Sequence, residues 1–307
     1  MWNIREVQER FLDHCRIGRS LSPNTLKAYA IDISDFRLFT GDDVVIDAVG
    51  RDKLRDYARW LIDQRGLKEA SVKRRMAVLK VLFRWLEREE VIEITPFHRF
   101  DFVVRLPRRL PRSISAEELR RLLEAIGSDD DSYFTLLLKL VVTLLFVTGL
   151  RIGELVSIKL TDLDQIEESI QVKGKGNRER RVYLVSSNLS NLLERFLVLR
   201  SRQTSHGVEE LFLDPDGKPV TPQFIRRQLI KAAKRADLPR RVTPHVLRHA
   251  AATHLVEAGV DIRFVQKLLG HASIATTQIY TQVSDNSLKA ALARADTLGR
   301  VKAGADN

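Results

Sequence analysis

PHVLRHAAATHLVEAGVDIRFVQKLLGHASIATTQIYTQV, residues 244–283, decides how the rest of the chain is read. It opens after Thr243, an N-cap residue, with Pro244 at the first helical position, where a missing N–H costs nothing. Val246, Leu247, Ala250, Ala251 and Leu255 then give the helix an apolar face. His245 and Arg248 stand three residues apart on one side of that helix, near the positive end of its dipole, where an anion is favoured. His249 and His254 read as packing or surface residues. Farther along come His271, after Gly270, and Tyr280. Taken singly, the first is an ordinary loop histidine and the second an ordinary half-buried aromatic.

Toward the N-terminus, Ser169 to Lys173 alternates as a strand, Gly174-Lys175-Gly176-Asn177 has turn chemistry, and Arg181 to Val185 returns. Lys175 in such a turn is by itself a solvated lysine. TGLRIGEL, residues 148–155, puts Arg151 just inside a helix with Glu154 three residues on, a spacing that equally suits a simple ion pair. FTLLLKLVVTLLFVTG, residues 134–149, contains Lys139 and falls short of the roughly 18 to 20 apolar residues that cross a bilayer, so it reads as a buried core helix. A capping box, Ser115-x-x-Glu118, opens this second domain.

Ahead of it, Thr95 to Arg112 breaks the helical pattern with Pro96, Pro107 and Pro111 and crowds Arg105, Arg108, Arg109 and Arg112 together, a stiff basic connector. Residues 1 to about 92 read as helical. One helix follows Ser22-Pro23 with Leu26, Tyr29, Ile33, Phe36 and Phe39 on its apolar face. A second carries Leu54, Tyr57, Ala58, Leu61 and Ile62 and ends near Gly66. A third, from about Ala70, turns Val72, Met76, Leu79, Leu82, Phe83 and Leu86 inward and shows a basic stripe of Lys73, Arg74, Arg75 and Lys80 on its other side. That stripe suits a phosphate backbone and a solvated face equally well.

The 307 residues carry a net charge of +11, which points to a polyanionic partner, nucleic acid or an acidic membrane surface. Cys15 is the one cysteine, so neither an intramolecular disulfide nor a Cys-rich zinc site can be built, in keeping with a reducing cytoplasm. The charged start, MWNIREVQERFLDHCR, is not a signal peptide.

Two arginines, two histidines, a lysine and a tyrosine form a set able to transfer a phosphoryl group without a metal. Arginine's planar fork takes two phosphate oxygens and keeps its charge. Lysine and histidine move protons to and from the attacking and leaving oxygens. A tyrosine hydroxyl, with an ordinary pKa of about 10, becomes a nucleophile beside such cations.

At these residues the chain resembles the tyrosine recombinase (phage integrase) family, most of all its Xer branch. The matching stretches are TGLRIGEL at 148–155, GKGNRER at 174–180, and residues 244–283 with H-x-L-R-H, L-G-H-x-S and T-T-x-I-Y-T in family order and spacing. SPNTLKAYAIDISDFRLF, from Ser22, is similar to the family's core-binding domain. The resemblance implies a mainly α fold with a small β-hairpin or sheet in the catalytic domain. The domains implied are a SAM-like helical DNA-binding domain over residues 1–92, a basic linker over 93–113, a catalytic domain over 114–299 and a frayed tail over 300–307.

It implies roles as well. Arg151 and Arg248 clamp the scissile phosphate, Lys175 protonates the departing 5′ oxygen, and His245 assists proton transfer at the nucleophile. His271 hydrogen-bonds the phosphate, Tyr280 forms a 3′-phosphotyrosine, and Glu154 braces the site. Lys73, Arg74, Arg75, Lys80, Arg105, Arg108, Arg109 and Arg112 are the candidate DNA contacts. No metal, cofactor or ATP is called for. The partner implied is double-stranded DNA at a specific recombination site, held by a homo-tetramer, or a hetero-tetramer with a paralogue, on cytoplasmic, nucleoid-associated DNA and not at a membrane. The segment Ser287 to Leu298 either docks on a neighbouring protomer, as in the family, or packs on its own domain.

FDFVVRLPRRLPRS lacks the usual Xer proline arrangement, and SYFTLLLKLVVTLLFVTG lacks charges often found ahead of the first arginine motif. Both departures leave open whether the chain resolves chromosome or plasmid dimers, the first choice, or integrates or resolves a transposon or phage. With no arm-binding domain in view, the larger phage-integrase architecture is disfavoured. A type IB topoisomerase and a catalytically idle DNA-binding protein are the remaining alternatives.

Overall fold

The computed structural model describes residues 2–100, 113–127, 131–174, 179–203 and 207–270. The chain forms two compact units, Met1–Arg109 and Leu110–Asn307.

Among the described residues the first unit has four α-helices, α1 (Ile4–Ile17), α2 (Pro23–Thr40), α3 (Arg51–Asp63) and α4 (Glu69–Arg88). The side chain of Ser22 caps α2 by accepting from the Thr25 N–H, with Pro23 in the first turn, as the sequence predicts. Phe11, Phe36, Tyr57 and Phe83 are fully buried at the centre, and the Phe36 and Tyr57 rings meet edge to face at 4.9 Å.

Two expectations fail here. Ile62 is 46% exposed, because Leu54, Tyr57, Ala58 and Leu61 already complete the buried face of α3 and Ile62 falls beyond its edge. Arg75 does not belong to a solvent-facing basic stripe. It lies one turn from both Val72 and Leu79, on the buried side of α4, where its Nε donates to Asp35 Oδ2 at 2.7 Å. Lys73, Arg74 and Lys80 are exposed.

The second unit continues with α5 (Ala116–Ile126), α6 (Tyr133–Thr148), α7 (Ile152–Val156), β1 (Leu163–Asp164), β2 (Ser169–Lys173), β3 (Glu179–Tyr183), α8 (Ser187–Arg202), α9 (Pro222–Arg235), α10 (Pro244–Glu257) and α11 (Ile262–Leu269). Among the described residues the fold is thus mainly α with one three-stranded antiparallel sheet in the order β1-β2-β3. The Ser115–Glu118 capping box forms in both directions. Helix α6 is buried almost all round, with Leu136, Leu137, Leu140, Val141, Leu144 and Leu145 packed between α8 and α10. That placement explains its apolar sequence without a bilayer, and among the described residues no helix is long and apolar enough to cross one.

The strand expected at Arg181 to Val185 begins earlier, at Glu179, and pairs with β2 from Lys173↔Glu179 to Ser169↔Tyr183. This register sets Ile170 opposite Val182 and Val172 opposite Arg180, so the sheet face that buries Ile170, Val172 and Val182 also carries an arginine.

Candidate active site

Helix α6 ends at Gly149, whose φ of +62° reverses the chain and whose N–H caps the Leu145 carbonyl. A side chain there would be strained, and its Cβ would lie 2.5 Å from Leu269 Cδ2. This turn delivers Arg151 to the start of α7 as its N-cap.

Glu154, three residues on, is 6% exposed and accepts four hydrogen bonds. Oε2 takes the Arg151 N–H at 2.8 Å and Arg180 Nη2 at 2.8 Å; Oε1 takes Arg151 Nη1 at 2.8 Å and Arg180 Nη1 at 3.1 Å. Burial pushes the Glu154 carboxyl up, but the bonds from Arg180 and Arg151 outweigh it and hold the group below the ordinary carboxylate range. The carboxylate is therefore a fixed anion on which two arginines are oriented.

The C-terminal end of α11 meets the same cluster. Arg180 Nε donates to the Leu268 carbonyl at 3.0 Å, Arg248 Nη2 to Leu269 at 2.8 Å, and Arg151 Nη2 to Gly270 at 3.0 Å. Three successive carbonyls at the negative end of a helix are thus capped by three guanidinium groups. Arg248 comes from the first turns of α10, is 6% exposed, and also donates from Nη1 to the Gly149 carbonyl at 2.5 Å. Gly270 has φ +62°, a backbone conformation that strains other residues, and a Cβ on it would stand 3.2 Å from Arg180 Nη1, so the guanidinium would have to give by a few tenths of an ångström.

Two arginines, Arg151 and Arg180, share the Glu154 carboxylate, a third, Arg248, is held on the neighbouring Leu269 carbonyl, and the Arg151 side chain is still 41% exposed. Such a cluster is built to receive an anion with several oxygens, a phosphodiester above all. His245 is exposed in the first turn of α10, three residues before Arg248, and sits on the same side of that helix.

The structure accordingly brings Arg151, Glu154 and Arg248 together at the end of the segment that leads into His271. Lys175, His271 and Tyr280 lie outside the described residues, as do Arg105, Arg108, Arg109 and Arg112. On α4, Lys73 and Lys80 are two turns apart on one exposed face, while Arg74 lies 2.8 Å from the Asp32 carboxylate. Arg180 is the member that sequence reasoning does not pick out. Inside GKGNRER it reads as one more solvated charge beside a turn, and only the strand register reveals that it points inward.

The family described as the phage integrase family matches residues 112–287, and the phage integrase N-terminal SAM-like domain matches residues 9–90. The tyrosine recombinase XerC of Listeria innocua serovar 6a is 35% identical over 293 residues, covering 92% of this chain and 95% of that protein. Among solved structures, XerA recombinase aligns with a TM-score of 0.54 at 29% identity, over 95% of this chain and 98% of its own. The Tn1549 transposon integrase, in complex with transposon right end DNA, shares the fold with a TM-score of 0.79 at 20% identity, over 96% of this chain and 99% of its own.

Proposed function

The chain belongs to the phage integrase family and is a site-specific tyrosine recombinase, an enzyme that cleaves and rejoins DNA, and from that premise we propose how its residues divide the chemistry. Arg151 and Arg248 hold the scissile phosphate. The Tyr280 hydroxyl attacks phosphorus, giving up its proton with help from His245. The bond from phosphorus to the 5′ oxygen breaks, and Lys175 protonates that oxygen. The product is a 3′-phosphotyrosine and a free 5′-hydroxyl. A 5′-hydroxyl from a partner strand then reverses the step, so one phosphodiester is exchanged for another and no ATP is consumed. His271 hydrogen-bonds the phosphate, and Glu154 braces Arg151.

The observation that carries this assignment is the convergence of Arg151 and Arg248 on neighbouring carbonyls, Gly270 and Leu269, immediately ahead of His271. Two forks held side by side, one of them still open to solvent, match a phosphate that gains charge as it becomes pentacoordinate.

The assignment extends to the whole molecule. Residues 1–92 are the core-binding domain, 93–113 the linker and 114–299 the catalytic domain, with 300–307 as a tail. Lys73, Arg74, Lys80, Arg105, Arg108, Arg109 and Arg112 contact phosphates. The enzyme works in the cytoplasm as a tetramer on two duplexes, of one chain or with a paralogue, and resolves chromosome or plasmid dimers as Xer proteins do.

The test is to incubate the full-length protein with host DNA in EDTA, denature rapidly, and sequence the ends of protein-linked fragments. Ends clustered at one chromosomal or plasmid locus are expected. Ends flanking a mobile element would replace dimer resolution with transposon or phage recombination, and randomly scattered ends would replace it with topoisomerase-like nicking.

A further inference from the structure

Arg180 occupies a place where a sheet ordinarily carries an apolar side chain. It lies opposite Val172, on the face that buries Ile170 and Val182, and its own side chain is 14% exposed. A charge taken out of water needs compensation, and this one has it in full view. Nη1 and Nη2 grip the two oxygens of Glu154, while Nε reaches the Leu268 carbonyl. These bonds run from β3 to two other segments, the start of α7 with Arg151 and the end of α11 that leads into His271.

Glu154 does not depend on Arg180 to hold Arg151, since the Arg151 N–H and Nη1 already reach both carboxylate oxygens. What Arg180 adds is a tie from the β2–β3 pair to the rest of the cluster. Lys175 stands in the sequence between Lys173 and Glu179, the last residues that pair across these strands.

We propose that Arg180 is a positioning residue for protonation of the leaving group: by fixing β3 to Glu154 and to the end of α11, it sets the hairpin that carries Lys175 against the scissile phosphate. This rests on the assignment of Lys175 as proton donor. A lysine at position 180 would supply the charge without the fork, and one ammonium cannot reproduce a bidentate grip on Glu154 together with a bond to Leu268.

The experiment compares two duplexes carrying the cleavage site recovered from protein-linked ends. In one, the bridging 5′ oxygen of the scissile phosphodiester is replaced by sulfur. Tyr280 still bonds to phosphorus, but the bond that breaks is now P–S, and a thiol with a pKa of about 8.5 departs as the thiolate without being protonated. Rates of covalent adduct formation are measured for the wild-type protein, Arg180→Met, Arg180→Lys and Lys175→Met, with thermal melting to confirm folding. Should Arg180→Met not fold, Arg180→Lys carries the comparison.

On the oxygen duplex, Arg180→Met should react about 100-fold more slowly than wild type, the scale of a lost general acid. Arg180→Lys should be slowed less. On the sulfur duplex, both should return to the wild-type rate, as should Lys175→Met. Wild-type rates for the Arg180 variants on the oxygen duplex would overturn the proposal. So would a defect that persists on sulfur while Lys175→Met is restored, since Arg180 would then serve the phosphate clamp. If Lys175→Met itself is not restored by sulfur, the donor assignment falls and the proposal with it.

Discussion

Glu154 in the second unit and Asp32 in the first are both carboxylates withdrawn from water beside two arginines. Glu154 meets Arg151 and Arg180 through four aligned hydrogen bonds, and its carboxyl is held below the ordinary range. Asp32 is fully buried with Arg74 at 2.8 Å and Arg75 at 3.9 Å, but neither of its oxygens has an aligned hydrogen-bond donor. There burial prevails over the two guanidinium groups, the neighbouring Asp35 adds repulsion, and the Asp32 carboxyl is pushed up. The nearness of arginine does not decide the outcome. The number of donors pointed at the oxygens does. The difference also separates roles, because Arg75 is used up by the carboxylates of α2, whereas Glu154 orients Arg151 and leaves its guanidinium partly open to a ligand.

The largest effect should come from breaking the satisfied cluster. Glu154→Ala leaves two arginines without their carboxylate and should cost roughly 3–5 kcal/mol in urea denaturation at neutral pH. Because the Glu154 carboxyl is depressed in the folded state, its contribution is complete above the unfolded carboxylate value. It disappears as pH falls through the lower folded value, so the gap between wild type and variant should close in acid. A loss too small to resolve would mean that those four bonds are not what holds the site.

A smaller change should follow Asp32→Asn, within about 1 kcal/mol in either direction, because an unsatisfied buried charge is exchanged for a neutral group. The pH trend is the sharper test. With a raised folded value, the Asp32 penalty is present where the group is charged and is relieved as pH falls through that value, so wild type should gain on the variant in acid. Opposite slopes for Glu154 and Asp32 are expected, and parallel slopes would break the comparison.

The smallest effects concern DNA affinity. Lys73→Ala and Lys80→Ala should each reduce the slope of log affinity against log salt by about one while leaving stability unchanged. Arg75→Ala should do the reverse, destabilising the first unit without changing the slope, because its guanidinium faces Asp35 and not solvent.

Much of this architecture is legible in the residues. Ser22-Pro23, Ser115 with Glu118, and Thr243-Pro244 mark helix starts that the structure reproduces, since capping depends on neighbours three positions apart. Arg151 and Glu154, like His245 and Arg248, share helical faces for the same local reason. What escapes is information carried across the chain. Arg75 looks like one charge among four until α2 supplies Asp35, and Ile62 looks apolar and inward until its neighbours have filled the face. Arg180 is hidden because its environment is created by pairing with Val172 and by Glu154, 26 residues away in sequence.

The central claim is that DNA becomes attached to Tyr280. Trypsin should release that tyrosine within the peptide from Leu268 to Lys289, between Lys267 and the next lysine. Mass spectrometry of the nuclease-trimmed, protein-linked DNA should find a 3′-linked nucleotide phosphate on Tyr280 in this peptide, with none formed by Tyr280→Phe. A nucleotide on any other residue, or an adduct that survives Tyr280→Phe, would contradict the account.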